Sequence, residues 1–324
     1  MMILAIDLGQ SKSVACVYDT ESHTHRFSTI RTTAQEVHDL IVEIGPDRVV
    51  IEIGPTAGWV CDLCRRLEVP IQVANPNHEA WRWKSVKAKT DRDDALKLAR
   101  LSEMEQLPTV HVPEPAVRAW RALIRHRQAL VSRRTEIKNS IRAILTREGI
   151  HWPAAGRGWT KACLCRLRAL AGEQDGSAWR VMLGSELEQL ASVGSAIERI
   201  ERELDAVASR DDRVALLETI PGVGRRLSEA LVALIDDPHR FASGRQVGAY
   251  VGLAPRRYQS GSMDRQGRIS RRGDALVRSL LVEVAWLGRR WNPWMKAVYE
   301  RALHGTPSRK KIAETCAESA ERIG

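Results

Sequence analysis

The chain has no long hydrophobic run. Its 324 residues contain no apolar stretch of about 18, the length that a helix needs to cross a bilayer. The opening MMILAIDLGQSKSVACVYD is apolar only briefly and has no basic segment before it. Because Asp7 interrupts it, the segment predicts a β-strand and not a signal peptide. We therefore expect a cytoplasmic protein with no membrane partner.

Cysteine is scarce as well, with 6 residues in the chain. Cys61 and Cys64, taken together with Cys163 and Cys165, are one conceivable zinc site. The second spacing is too tight for a usual zinc knuckle, however, and no His-x-His follows it. Buried thiols that stay reduced are the favoured interpretation.

Acidic residues are outnumbered, with 40 Asp+Glu against 50 Lys+Arg and a formal net charge of +10. This excess points to a polyanionic partner, with a solvated basic surface as the alternative. Between residues 118 and 147, Glu136 is the only acid. A helix with that charge would repel itself unless a nucleic-acid backbone lay along it. The cations of this stretch are Arg118, Arg121, Arg125, Arg127, Arg133, Arg134, Lys138, Arg142 and Arg147.

Short apolar runs alternate with turn residues in the first third of the chain. They predict strands at 2–8, 13–19, 26–32, 48–54 and 71–76, and helices at 34–44 and 60–67. This order indicates an α/β domain with a mixed sheet. Beyond it, helical spacing predicts helices over 77–106, 114–148 and 184–208, with a looser stretch at 153–176. The two long helices carry apolar seams that favour a coiled coil and an oligomer.

A Pro-Gly-x-Gly turn lies between two predicted helices in LLETIPGVGRRLSEALVALI, residues 216–235. The segment resembles a helix-hairpin-helix module. In such a module Gly222 and Gly224 would let backbone N–H groups approach a DNA phosphate. The alternative is an ordinary turn between two helices.

Four carboxylates form the first candidate site. Asp7 and Glu52 end predicted strands, and Asp91 and Asp94 are three residues apart on a predicted helix, so they share one face. Four such groups brought together would hold two divalent cations for phosphodiester displacement. The alternative is that Asp91 and Asp94 only favour a helix N-terminus.

A serine beside two arginines forms the second candidate site, in PRRYQSGS at residues 255–262. Ser260 suits a phosphoryl-transfer nucleophile, and Arg256 and Arg257 suit a phosphate. The alternative is a flexible Ser-Gly-Ser turn.

Five segments in order carry a family resemblance: AIDLGQSKS, VIEIGPTAGW, NPNHEAWRWKSVKAKTDRDDALKLARL, LLETIPGVG and GLAPRRYQSGS. Together they resemble the DEDD-type transposases of the insertion sequence one-ten family, which are bridge-RNA-guided recombinases. The resemblance implies an α/β RuvC-like (ribonuclease-H-like) domain at 1–113. It also implies a long helical coiled-coil connector at 114–212 and a mostly α C-terminal transposase domain, with a helix-hairpin-helix-like segment, at 213–324.

The resemblance further implies how the site works. Asp7, Glu52, Asp91 and Asp94 take the four acidic positions and bind Mg²⁺, two ions in all, and Ser260 takes the nucleophilic position. The serine forms a covalent link to DNA, in an active site assembled from two protomers. The implied partners are donor DNA, target DNA, a guide RNA and further copies of this chain, as a dimer or a tetramer.

Three other functions are compatible with parts of the sequence. A Holliday-junction-resolvase-like endonuclease would use the carboxylates and a water molecule, and would not need Ser260. A binding remnant of a decayed element would hold nucleic acid without cleaving it. The AIDLG strand also resembles a phosphate loop of the actin and sugar-kinase superfamily, but the chain has no second acidic-glycine loop.

Overall fold

The computed structural model describes residues 1–75, 90–153, 158–173, 175–260 and 263–303. The chain divides into two compact units, residues 1–118 and 119–324. Within the described ranges, no helix combines the length and the apolar character that crossing a membrane requires.

The first unit contains the predicted mixed sheet. Its strands are β1 (Met2–Asp7), β2 (Lys12–Asp19), β3 (His25–Arg31), β4 (Arg48–Glu52) and β5 (Ile71–Ala74). Their order in the sheet is β3-β2-β1-β4-β5. The first three strands pair antiparallel, whereas β4 is parallel to both β1 and β5. This topology fits a ribonuclease-H-like α/β domain.

Helices cover both faces of this sheet. They are α1 (Ala34–Ile44), α2 (Ala57–Arg66) and α3 (Asp91–Glu103). Successive strand residues point to opposite faces, so Leu4 and Ile6 pack in the layer of α1 and α2, and Ile3 and Ala5 pack in the layer of α3. The helix predicted over 77–106 is seen only from its cap at Thr90 onward, because residues 76–89 lie outside the described part.

The second unit is mostly helical, as expected. Its helices are α4 (Pro115–Arg147, which begins in the first unit), α5 (Lys161–Gly172), α6 (Ala178–Ala208), α7 (Asp212–Glu218), α8 (Arg225–Ile235), α9 (Gly244–Tyr250), α10 (Ala275–Trp291) and α11 (Pro293–Leu303). A short 3₁₀ helix covers Pro238–Arg240, and β6 (Pro255–Ser260) and β7 (Met263–Ile269) form a hairpin. Helix α5 lies in the stretch that was expected to be loose, and the hairpin was not expected.

The two long helices run antiparallel. Arg127 of α4 binds Glu201 of α6 at 2.7 Å, and Ser140 of α4 donates to Glu186 of α6 at 2.8 Å. Residue numbers therefore rise along one helix as they fall along the other. Their apolar seams are buried in cores within this same chain, so these seams alone give no reason for an oligomer. A regular coiled-coil geometry stays a prediction.

The turn between α7 and α8 brings a glycine against another helix. Gly222 has φ +94°, a conformation that favours glycine, and a Cβ there would lie 3.2 Å from the Cα of Gly288 in α10. Gly224 is the N-cap of α8. Gly222 therefore has a packing role within the protein that needs no phosphate.

Gly222→Ala should lower the free energy of unfolding by about 1–3 kcal/mol, because it adds both left-handed strain and a backbone contact. Gly194→Ala is the matched control, since a Cβ at that position in α6 meets nothing within 4 Å. The control should raise the same quantity by about 0.4–1 kcal/mol. Urea denaturation measures both, and equal shifts would contradict this account of Gly222.

Candidate active site

Asp7 and Glu52 end two neighbouring parallel strands. Ile6 pairs with Ile51 at the last register position of β1 and β4, and the two acids come next along each strand. By strand alternation Asp7 shares its face with Ala5, and Glu52 shares its face with Val50. Ala5 and Val50 both pack in the layer of α3. The two carboxylates are therefore directed to the same side of the sheet.

Helix α3 presents the other two candidate acids on that side. It packs against β1, β2 and β4. Asp94 in its first turn is 8 % exposed, whereas Asp91, three residues earlier in the same turn, is exposed. The structure thus brings Asp94 into the layer faced by Asp7 and Glu52, with Asp91 at the solvent edge.

Asp93, between these two acids, has a different task. The Thr90 hydroxyl donates to Asp93 Oδ2 at 2.6 Å, and the Asp93 backbone N–H donates to Thr90 Oγ1 at 3.2 Å. The Thr90 backbone N–H also donates to Asp93 Oδ2, at 3.2 Å. This capping box fixes where α3 begins. The position of Asp94 follows from it, because the cap sets which residues occupy the first turn.

Carboxylates of this kind are the oxygen ligands that Mg²⁺ prefers. Among the described residues, no three His, Cys, Asp or Glu side chains are grouped so that they could hold a metal ion. Mg²⁺ usually keeps several waters and binds one or two carboxylates together with substrate phosphates, so a complete protein cage is not required. Asp7 and Glu52 face the layer of α3, Asp94 is buried in that layer, and Asp91 is exposed three residues before Asp94.

The cysteines of the first unit are poor metal ligands in this fold. Cys61 and Cys64 lie on α2 and are buried in the core. Burial raises the pKa of the Cys64 thiol to about 12 and also raises the pKa of Cys61. Both thiols therefore stay protonated at neutral pH. Cys163 and Cys165 are more accessible but are two apart on α5, a spacing at which helical side chains do not face each other.

Ser260 is the last residue of β6 and pairs with Met263, the first residue of β7. Every residue of β6 is exposed, so the serine is accessible to a large substrate. Its neighbours Gly261 and Ser262 lie outside the described residues. A signal for this hairpin is present in the sequence, because a Gly-Ser pair separates two runs of strand-forming spacing.

The register of the hairpin sorts its side chains onto two faces. Pairing is regular between 257–260 and 263–266, with Tyr258 opposite Arg265 and Ser260 opposite Met263. Residues directly opposite each other share a face, and alternate residues of one strand do too. Ser260, Tyr258, Met263 and Arg265 therefore lie on one face, and Arg257 lies on the other.

Arg257 is held on its own face by Asp264. Its Nε donates to Asp264 Oδ1 at 2.8 Å, and its Nη2 donates to Asp264 Oδ2. This pair raises the pKa of Arg257 and lowers the pKa of Asp264. Arg256 donates to the carbonyl oxygen of Ser270 at 3.3 Å. The two arginines adjacent to Ser260 in sequence thus have partners within the protein.

The first turns of α4 also use their cations within the protein. Arg118 donates to the carbonyl of Pro113 at 2.6 Å and pairs with Asp62. Arg121 donates to the carbonyls of Ala233 and Leu234 at 2.6 and 2.7 Å, and its burial lowers its pKa. Arg125 lies 3.1 Å from Asp274. Each of these contacts would compete with a phosphate for the same guanidinium.

The far end of α4 is different. Lys138 and Arg142 both lie over the ring of Trp159, at 5.0 and 5.3 Å from its centroid. Burial lowers the pKa of Lys138, and the neighbouring Arg134 and Arg142 lower it further. Helix α5 carries two exposed cations, Arg166 and Arg168, on either side of Leu167, which packs in the same core as Ile141 of α4. We call Arg134, Lys138, Arg142, Arg166 and Arg168 the distal basic surface.

Two family models match this chain. A DEDD transposase model of the IS110 type matches residues 4–149, and the model described as "Transposase IS116/IS110/IS902 family" matches residues 214–300.

Curated relatives agree with these models. A "Probable family 20 transposase" of Pseudomonas aeruginosa is 27% identical over 288 residues, 88% of this chain and 84% of that protein. The "Transposase for insertion sequence element IS1111A" of Coxiella burnetii is 30% identical over 243 residues, 72% of this chain and 65% of that protein.

Among solved structures, Thermus thermophilus RuvC in complex with a Holliday junction substrate is similar to part of this chain. The match covers 34% of this chain and 100% of the RuvC chain, at 15% identity and a TM-score of 0.26.

Asp93→Ala should lower the free energy of unfolding by about 0.5–1.5 kcal/mol, because it breaks the capping box of α3. Asp91→Ala in the same turn is the matched control. It removes only a carboxylate near the helix N-terminus, so it should lower the free energy of unfolding by about 0.3 kcal/mol. Denaturant titration of both variants checks the difference, and a larger loss for Asp91→Ala would refute the assignment of Asp93 as the cap.

Proposed function

Because this chain belongs to the IS110 family of DEDD transposases, enzymes of DNA transposition and recombination, we propose that it joins DNA strands through a covalent link to Ser260, assisted by its acidic cluster. The observation that carries the proposal is the placement of three acids. Asp7 and Glu52 end neighbouring strands on one side of the sheet, and α3 presents Asp94 on that side.

The carboxylates are proposed as ligands of divalent metal ions. Asp7, Glu52 and Asp94 would supply oxygen atoms from within the α3 layer, and Asp91 would supply a fourth from the solvent edge. Two Mg²⁺ ions are the expected occupants, because hard cations prefer such ligands. Bound there, they would neutralise the charge that develops on a phosphate during in-line displacement.

Ser260 is proposed as the nucleophile. The bond between Ser260 Oγ and the phosphorus forms, and the bond between that phosphorus and one sugar oxygen breaks. The serine proton passes through solvent to the departing oxygen. A sugar hydroxyl of a second strand then attacks the phosphoserine and releases the serine. One phosphodiester is exchanged for another, so no energy-supplying cofactor is needed.

A serine hydroxyl is a weak nucleophile unless a base or a metal ion activates it. Ser260 is exposed at the end of β6, and among the described residues no histidine or carboxylate forms a hydrogen bond with its side chain. This supports a reaction that needs the acidic cluster as well as the serine. The family resemblance implies that two protomers supply them, so a homodimer or tetramer is part of the proposal.

Asp7→Ala, Glu52→Ala, Asp94→Ala and Ser260→Ala should each reduce strand exchange at least about 1,000-fold, because each removes a group that acts on the transferred phosphate. Denaturing gels of end-labelled DNA measure both strand exchange and the protein–DNA adduct. Asp93→Asn is the control for loss of an acidic charge in the same turn and should retain exchange, because the amide oxygen still accepts the hydrogen bonds of the α3 cap.

The adduct separates this mechanism from its rivals. With Ser260→Ala, full exchange would refute the covalent mechanism. Hydrolysis without an adduct in both the wild-type and the Ser260→Ala protein would point to a resolvase-like endonuclease instead. Nucleic-acid binding by the wild-type protein with no cleavage in Mg²⁺ would favour a non-catalytic remnant.

DNA is the partner that the family assignment implies, and we propose a guide RNA as a second. The distal basic surface supports a contact with a phosphate backbone. Arg134 and Lys138 form no ion pair with the described residues, and like charges already depress the pKa of Lys138. A polyanion would relieve this repulsion, whereas the first turns of α4 have acids or carbonyls that already do so.

The double variant Arg166→Ala/Arg168→Ala should weaken nucleic-acid binding about 10-fold near 0.1 M salt and reduce the salt slope by about 2, because each cation accounts for one phosphate contact. Arg199→Ala/Arg202→Ala on α6 is the matched control, since both of these arginines are exposed but lie among Glu198, Glu201 and Glu203. Filter binding with duplex DNA of the element ends, and separately with RNA transcribed from the adjoining non-coding stretch, identifies the partner. Unchanged binding to both would refute this surface.

A further inference from the structure

The hairpin that carries Ser260 presents Arg265 on the face of the serine, whereas Arg256, near that face, already donates to the carbonyl oxygen of Ser270. Charge builds up on the phosphate oxygens during phosphoryl transfer, and a cation on the side of the attacking atom stabilises it. Arg257 is three residues from Ser260, and this closeness in sequence favours it as the cation that contacts the phosphate. Along a strand, however, a residue three positions away points to the opposite face.

Arg265 lies on the correct face. It is directly opposite Tyr258, and Ser260 is two residues beyond Tyr258 on the same strand. Ser260 and Arg265 are therefore diagonal neighbours, which lie about 7–8 Å apart in a sheet, a distance that long side chains bridge.

The two arginines also differ in what already holds them. Arg257 donates to both carboxylate oxygens of Asp264. A phosphate that approached Arg257 would be repelled by this carboxylate and would have to displace it. Arg265 is exposed and forms no hydrogen bond or ion pair with the described residues. Its guanidinium is available to an incoming phosphate without the loss of an existing contact.

We propose that Arg265 holds the phosphate attacked by Ser260, and that Arg257 with Asp264 fixes the hairpin from its other face. The guanidinium of Arg265 would donate two hydrogen bonds to the non-bridging oxygens of that phosphate. This inference rests on the proposed role of Ser260. It adds a substrate-contacting residue in a different strand and identifies the pair on the other face as structural.

The test measures covalent adduct formation by the full-length chain. The probe is labelled duplex carrying the element ends, with RNA transcribed from the adjoining non-coding stretch. Arg265→Ala should lower the rate at saturating DNA about 100-fold, because it removes a donor that acts on the developing charge. The half-saturating DNA concentration should change less than about 3-fold, since one phosphate contact among many sets little of the affinity. Arg265→Lys should recover part of the rate, because it keeps the charge but not the paired donors.

Arg268→Ala is the matched control. It removes the same charge from an exposed position in the same strand, three residues further along β7. It should form adduct at the wild-type rate. Melting temperatures of the Arg265 and Arg268 variants should agree within about 2 °C, since surface substitutions usually change stability little.

The outcomes separate this inference from the function on which it rests. A wild-type rate for Arg265→Ala, with no adduct from Ser260→Ala, would overturn Arg265 and leave the covalent mechanism intact. Strand exchange by Ser260→Ala would overturn both. Equal losses for Arg265→Ala and Arg268→Ala would show a general charge effect and would also overturn the specific role of Arg265.

Discussion

The parallel pairing of β1 with β4 is the contact on which the acidic site depends. It sets the ends of the two strands side by side, so that Asp7 and Glu52 follow the same register position. Strand alternation then gives both carboxylates the face that α3 covers. A slip of one residue in this pairing would turn one carboxylate toward the layer of α1 and α2, where the neighbouring side chains are apolar.

The cap of α3 completes this arrangement. Thr90 and Asp93 satisfy each other's backbone N–H groups, which fixes the first helical turn against the sheet. Three acids close together in sequence thereby take three environments: Asp93 in the cap, Asp94 buried against the strands and Asp91 in solvent. The acid-rich run KTDRDD thus contains the acid that caps α3, Asp93, and the two acids that are candidate metal ligands, Asp91 and Asp94.

Charge is divided along α4 in a comparable way. Its first turns carry arginines that bind carbonyls and carboxylates, and Arg121 stabilises the end of α8 by donating to Ala233 and Leu234. Its far end carries Lys138 and Arg142 over Trp159, with cation–π contacts to the ring. The cations in the first turns of α4 therefore have partners within the protein, whereas Lys138 near its far end forms no ion pair with the described residues.

Much of the secondary structure of both units could be predicted from sequence, because periods of 2 and 3.6 in apolar residues are local signals. Such patterns predict the order of strands and helices in the first unit and the cap at Thr90. They also predict the long helices at Pro115–Arg147 and Ala178–Ala208 and the two helices that flank the Pro-Gly turn. Helix α5 was missed because glycines and a proline surround it, and the β6–β7 hairpin was missed because Ser-Gly-Ser also suits a flexible turn.

The sequence by itself determined which chemical groups are available: four acids in the family's order, a serine near two arginines and an excess of positive charge. Only the tertiary structure decided which of them act together. Parallel pairing placed Asp7 beside Glu52, and antiparallel register placed Arg265, and not Arg257, on the face of Ser260. The physical reason is that side-chain direction in a strand depends on which residues are paired across it, and pairing is a long-range property of the folded chain.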